Sequence, residues 1–125
     1  MPRASKESAS RVEDMAIMEG HYEELGGYTV GFETFRENAD AAPLMKGLPD
    51  DRCQSPHWGY VVRGKATFSY ADHAETYEAG DAYYAPPGHT PAITAGTEII
   101  EFSPTDEYGR TMEVIGRNLA AIQAA

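Results

Sequence analysis

Cysteine is nearly absent: Cys53 stands alone among 125 residues, so no internal disulfide can form. A chain without that staple suits a reducing compartment and must hold itself together by burial. Positive charge is scarce as well. Ten Lys+Arg against 20 Asp+Glu leave a formal charge of −10, which repels nucleic-acid phosphates and anionic membrane surfaces. Long apolar runs are missing too, with nothing near the roughly eighteen residues needed to cross a bilayer. The polar opening MPRASKESASRVED lacks the apolar segment of a secretory signal. Nucleic acid and membrane are therefore not expected partners, and a cytoplasmic location is predicted. At this length one domain forms, burying roughly two-thirds of the unfolded chain's surface.

What the chain does have is a succession of short apolar runs cut by turn residues. Residues 1–26 read as a flexible N-terminal arm and lead-in, because the first ten offer almost nothing to bury. From Gly27 the run GYTVGFETFRE alternates with a period near two, placing Tyr28, Val30 and Phe32 on one side of a strand. Residues 37–56 are a mixture of Pro, Asp, Asn and Gly, a loop long enough to serve a site or an oligomer contact. His57 to Pro104 repeats one format, a β-branched or aromatic run followed by a turn, which predicts an all-β antiparallel sandwich or barrel over 27–104. In 105–125, Met112, Ile115, Leu119 and Ile122 make one helical stripe, predicting a short C-terminal helix that packs on the barrel or on a partner.

Two segments then carry a family resemblance. Gly80-Asp81-Ala82-Tyr83-Tyr84-Ala85-Pro86-Pro87-Gly88 resembles the opening of the second cupin motif, G-x5-P-x-G. Tyr60-Val61-Val62-Arg63-Gly64 resembles the strand and turn that close the first. The resemblance implies a cupin-type jelly-roll β-barrel. It also implies a place for a metal, since many members carry H-x-H-x3-E in the first motif and a histidine three residues past the second. Counted from Gly64 and Gly88, those four positions fall on Asp51, Cys53, His57 and Pro91. None keeps the family ligand, yet Asp51, Cys53 and His57 are all capable donors and His89 lies two residues from the vacant fourth position.

The resemblance thus points to His57, His89 and Cys53 as metal ligands, with His57 doubling as a catalytic group. Each has a plainer alternative: His57 as a hydrogen-bonded core imidazole, His89 as a turn residue in solvent, Cys53 as a small buried hydrophobe, Asp51 as a turn acid. Strand parity points His57 inward with Gly59 and Val61, Gly59 leaving room beside it, and points Trp58 outward. Tyr60 and Tyr84 flank the motifs and are substrate-binding candidates. Glu101 is a third, or else an outward strand residue. Two imidazoles with a carboxylate suit iron, and a thiolate moves the preference toward zinc, with nickel and manganese also open. The predicted function is a metal-dependent cupin acting on a small organic molecule, as an oxygenase, lyase or isomerase. The alternative is a metal-free binding or sensing module. A homodimer is expected, the helical stripe supplying uncovered apolar surface.

Overall fold

A computed structural model describes residues 2–124, and among these the chain is a two-sheet β structure closed off by one helix. The strands are β1 (Arg11–Asp14), β2 (Met18–Leu25), β3 (Tyr28–Phe35), β4 (Ala39–Asp40), β5 (His57–Arg63), β6 (Lys65–Ser69), β7 (Ala74–Glu78), β8 (Ala82–Ala85), β9 (Thr90–Ile93) and β10 (Glu98–Pro104). Helix α1 (Thr105–Ala124) follows. The larger sheet runs β1-β2-β3-β10-β5-β8 and the smaller β4-β9-β6-β7, with neighbouring strands antiparallel throughout. The chain returns from β10 to lie between β3 and β5, a jelly-roll crossover. The sheets face one another as an open sandwich, not a fully closed barrel.

The core between them is built from alternate residues: Val61, Tyr83, Ala85 and Ile99 from the larger sheet against Ala66, Phe68 and Ile93 from the smaller. Burying Phe68 alone contributes about 1.5–3 kcal/mol. The turn from β5 into β6 is one residue, Gly64 at φ +79°, where a Cβ would also overlap Thr97. The Thr97 hydroxyl accepts the Lys65 N–H at 3.1 Å and fixes that corner.

The sheets begin earlier than the expected barrel start at residue 27, since β1 and β2 of the lead-in extend the larger sheet from Arg11 onward. Their signal is silent because β2 turns Met18, Gly20 and Tyr22 inward and Glu19, His21 and Glu23 outward, and the glycine between the two large side chains breaks the apolar alternation. Tyr22 lies flat over Gly20 and Gly31, at both of which a Cβ would overlap its ring. Glycine there makes room for the ring.

Helix α1 starts where Thr105 donates its N–H to the Gly27 carbonyl at 3.0 Å and meets the Thr29 hydroxyl at 2.9 Å, with Asp106 and Glu107 complementing its dipole. Asn118 Nδ2 donates to the carbonyls of Leu44 (2.7 Å) and Lys46 (2.8 Å), pinning the helix to the 3₁₀ turn Ala42–Met45. Met112, Ile115 and Leu119 are therefore turned to their own chain and line a cleft beside the sheets, whereas Ile122 stays exposed.

Candidate metal centre

Three segments deliver the site. Cys53 follows a second turn, Pro49–Asp51, and is tied to His89 as an isolated β-bridge: the Cys53 N–H donates to His89 O at 2.8 Å and Gly88 N–H to Cys53 O at 2.8 Å. His57 opens β5 opposite Ala85 of β8, facing the interior. The donor atoms of Cys53, His57 and His89 come within 4.8 Å of one another, and all three residues are buried, at 2%, 7% and 0% exposure. His57 Nε2 lies 3.7 Å from Cys53 Sγ, and the two imidazole rings are 4.9 Å apart. Phe68 packs edge-on against His89 at 5.1 Å and keeps water from that side.

Hydrogen bonding fixes which nitrogens are free. His89 Nδ1 lies 2.8 Å from the Pro86 carbonyl, which can only accept, so the proton sits on Nδ1 and Nε2 presents a bare lone pair. That Nε2 is fully buried and has no hydrogen-bond partner. His57 Nδ1 meets the Ser103 hydroxyl at 2.7 Å and Glu101 Oε1 at 3.4 Å, leaving its Nε2 toward Cys53. An imidazole steadied at one nitrogen by a carboxyl while the other faces a donor cluster is the arrangement around bound metals. Burial pushes both histidines down to about 4, so both are neutral, the ligand form, at pH 7. Burial pushes the Cys53 thiol up to about 11; a cation at the cluster would deprotonate it.

A second polar group lies deeper along the larger sheet. Glu101 accepts a short hydrogen bond from the Tyr83 hydroxyl, and Glu33 on the neighbouring strand accepts one from Tyr22 at 2.6 Å. Burial raises both carboxyls above the usual range, and proximity to Glu101 raises Glu33 further. Among the described residues no lysine or arginine pairs with either. Tyr108 of α1 lines the same niche with Ser103 and Thr29. Both polar groups open onto one cleft of about 1060 Å³, walled by Met18, Phe35, Met45, Phe68, Met112 and Leu119 among others.

The structure brings together Cys53, His57 and His89 as the sequence suggested, and adds Glu101, which turns inward. Tyr60 and Tyr84 are a correction: they share the outward parity of Trp58, lie on the far face of the sheet and cannot touch a molecule in the cleft. Tyr83, the odd neighbour, points in instead. The room expected beside Gly59 is filled by the Tyr83 ring. Asp51 stays exposed, its Oδ1 accepting the Gly47 N–H at 3.0 Å outside the cluster. Sequence reasoning missed Glu33, Tyr22 and Ser103. Glu33 had a signal: it is the one acid at an inner position of β3, flanked by Gly31 and Phe35.

No family profile and no curated protein matches the chain in sequence. Solved structures do. An RmlC-like cupin from Shewanella frigidimarina aligns at TM-score 0.54 and 19% identity over 81% of this chain and 88% of that one. KdgF from Halomonas sp. aligns at 0.51 and 20%, over 75% and 86% of the two chains. The polyketide cyclase RemF from Streptomyces resistomycificus aligns at 0.58 and 13%, over 83% and 79%. Sheet order, strand register and these alignments agree that the chain has the cupin-type jelly-roll fold.

Proposed function

We propose that Cys53, His57 and His89 hold one divalent transition metal, and that the cleft beside it takes a small, largely apolar organic molecule on which the protein acts. The observation that carries this reading is His89 Nε2, a buried lone pair with no partner, within 4.8 Å of the donor atoms of Cys53 and His57. Two imidazoles and a thiolate fit zinc or another ion that tolerates soft ligands better than magnesium or calcium. Such an ion supplies Lewis acidity to an oxygen of the bound molecule.

The remaining chemistry belongs to side chains. Ser103 and Glu101 orient His57 through Nδ1. Tyr83 holds Glu101 Oε2 and leaves Oε1 beside the cleft, where a carboxyl of raised pKa can take a proton from a molecule and return it. Glu33, held by Tyr22, stands behind as a second proton store. Walls that are largely apolar, with two carboxyls biased toward their neutral form, favour a substrate of low charge. The volume accommodates several rings, and three wall methionines, Met18, Met45 and Met112, can adapt to irregular shapes. Proton transfer next to a polarised carbonyl, as in isomerase, lyase or cyclisation chemistry, suits this set; that the neighbour RemF is a polyketide cyclase is in keeping with it. The cleft also supports a metal-free binding protein, and metal content separates the two. Protein purified without chelator should carry close to one transition-metal ion per chain, and His89→Ala should carry almost none. Far less than one equivalent of every transition metal in the wild type would overturn the proposal.

A further inference from the structure

Acids crowd the cleft and bases are kept from it. Asp14, Glu24, Asp40 and Glu113 border it where it meets solvent, Glu33 and Glu101 lie within, and Arg11 is its one lysine or arginine among the described residues. Arg36 neutralises Asp14 at 2.6 Å, but nothing of the kind serves the inner pair. Each of Glu33 and Glu101 accepts a hydrogen bond from one tyrosine, and among the described residues Glu33 Oε1 receives none. A buried carboxyl pair without a cation is held at a cost, which a positive group set beside it removes. The Tyr22 ring shows that this surrounding accepts a cation: the Arg11 guanidinium lies 4.7 Å from its centroid. Tyr108 stands 6.4 Å from Tyr22, so two rings border the carboxyls. The niche lined by Tyr22, Thr29, Glu33, Glu101, Ser103 and Tyr108 has room for one water-sized group, about 10 Å³. An –NH3+ has that size and three N–H donors to share among the two carboxyls and the Tyr108 hydroxyl; a trimethylated nitrogen is too large.

We infer that the molecule taken by the cleft is a primary amine with an apolar body, its –NH3+ seated in the niche against Glu33 and Glu101 and its body lying along Met18, Met45 and Met112. The inference rests on the proposed small-molecule role of the cleft, already marked as a site by the unpartnered His89 Nε2, and adds the head group and its charge. A single positive charge keeps the molecule within what apolar walls tolerate, and the acid border raises its local concentration. Glu101, 3.4 Å from His57 Nδ1 and lining the niche, screens the ammonium from a cation on Cys53, His57 and His89.

Isothermal titration at pH 7 with probes of similar shape and different charge tests it: 2-phenylethylammonium, 2-phenylethanol and phenylacetate. The ammonium should bind about tenfold or more tightly than the alcohol, and phenylacetate most weakly. Trimethylating the ammonium should remove the advantage. Glu33→Gln should weaken the ammonium about tenfold while leaving the alcohol's affinity and the metal content unchanged. Arg11→Gln takes away the one competing cation and should tighten ammonium binding about two- to three-fold, a gain that a damaged fold does not produce. The alcohol or phenylacetate binding as tightly as the ammonium overturns the inference and leaves the small-molecule role of the cleft standing. Binding of no probe overturns both. Undiminished affinity in Glu33→Gln or weakened affinity in Arg11→Gln overturns the inference, as does displacement of the ammonium by one equivalent of calcium or magnesium. A chain without metal that still prefers the ammonium sinks the metal proposal and supports this one.

Discussion

The two faces of the larger sheet invert the usual arrangement. On the inner face, β3, β10 and β5 turn Glu33, Glu101, Ser103 and His57 toward the interior, with Tyr22 and Tyr83 donating to the acids. On the outer face the same strands, with β8, present Tyr28, Phe102, Trp58, Tyr60 and Tyr84. Polar groups inside and aromatic groups outside are unfavourable for an isolated sandwich, since each buried carboxyl costs desolvation and each exposed ring leaves area unburied. The smaller sheet behaves ordinarily, contributing Ala66, Phe68 and Ile93 to the core. Stability therefore resides where the two sheets meet, with Val61, Ala85 and Ile99 of the larger packed against Ala66, Phe68 and Ile93 of the smaller.

Core stability is the first place where that division can be broken. Phe68→Ala should cost about 3–5 kcal/mol in denaturant unfolding, because Phe68 is 1% exposed and touches both histidines and Tyr83. A cost below 1 kcal/mol would mean that the core lies elsewhere.

Next in size is the steadying of His57. Glu101→Gln should lower metal affinity by about 10–100-fold in a chelator competition, with little change in secondary structure. An unaltered affinity would show that Glu101 does not act through His57.

Glu33 gives a pH signature. Its carboxyl is raised in the folded chain, so folding is unimpeded at low pH and stability is lost as pH rises from about 4.5 toward 7, where the buried group is forced to ionise. Glu33→Gln removes that loss and keeps an acceptor for Tyr22. The variant should gain about 3 kcal/mol relative to wild type between pH 4 and pH 8, read from melts across that range. The opposite sign would mean that Glu33 is held as a carboxylate.

The smallest effect belongs to Asp51. Asp51→Asn keeps the oxygen that accepts the Gly47 N–H and tolerates the left-handed backbone at φ +55°, so stability should change by no more than about 0.5 kcal/mol and metal content not at all. Loss of metal would draw Asp51 into the cluster.

Parity made much of this legible. His57 inward and Trp58 outward follow from the alternation in HWGYVVR, and Gly80 to Gly88 marked the turn that brings His89 to the site. Tyr60 and Tyr84 obey the same parity as Trp58; their nearness to the motifs in sequence outweighed it and misplaced them. Glu101 was ambiguous because EIIEFSP has apolar residues on both faces, Ile99 inside and Ile100 outside, so no period emerges. Tyr28, Val30 and Phe32 do alternate, but on the outer side of β3; the inner side is Thr29, Gly31, Glu33 and Phe35. The nearness of Cys53 to His57 does not come from one continuous strand, since β5 begins only at His57. It comes from the backbone bridge of Cys53 to His89, a long-range pairing that local pattern does not encode.

The central claim is that the inner face holds a metal on Cys53, His57 and His89, and cobalt(II) titration of the metal-stripped chain tests it most directly. A thiolate on cobalt gives an intense charge-transfer band in the near ultraviolet, so the band reports the Cys53 sulfur itself. The account predicts a band that saturates at one ion per chain and the release of about one proton per ion at pH 7, because the thiol is protonated and both imidazoles are neutral beforehand. Cys53→Ser should bind without the band and His89→Ala should lose saturable binding. A wild-type chain that shows no band and no saturation would contradict the account.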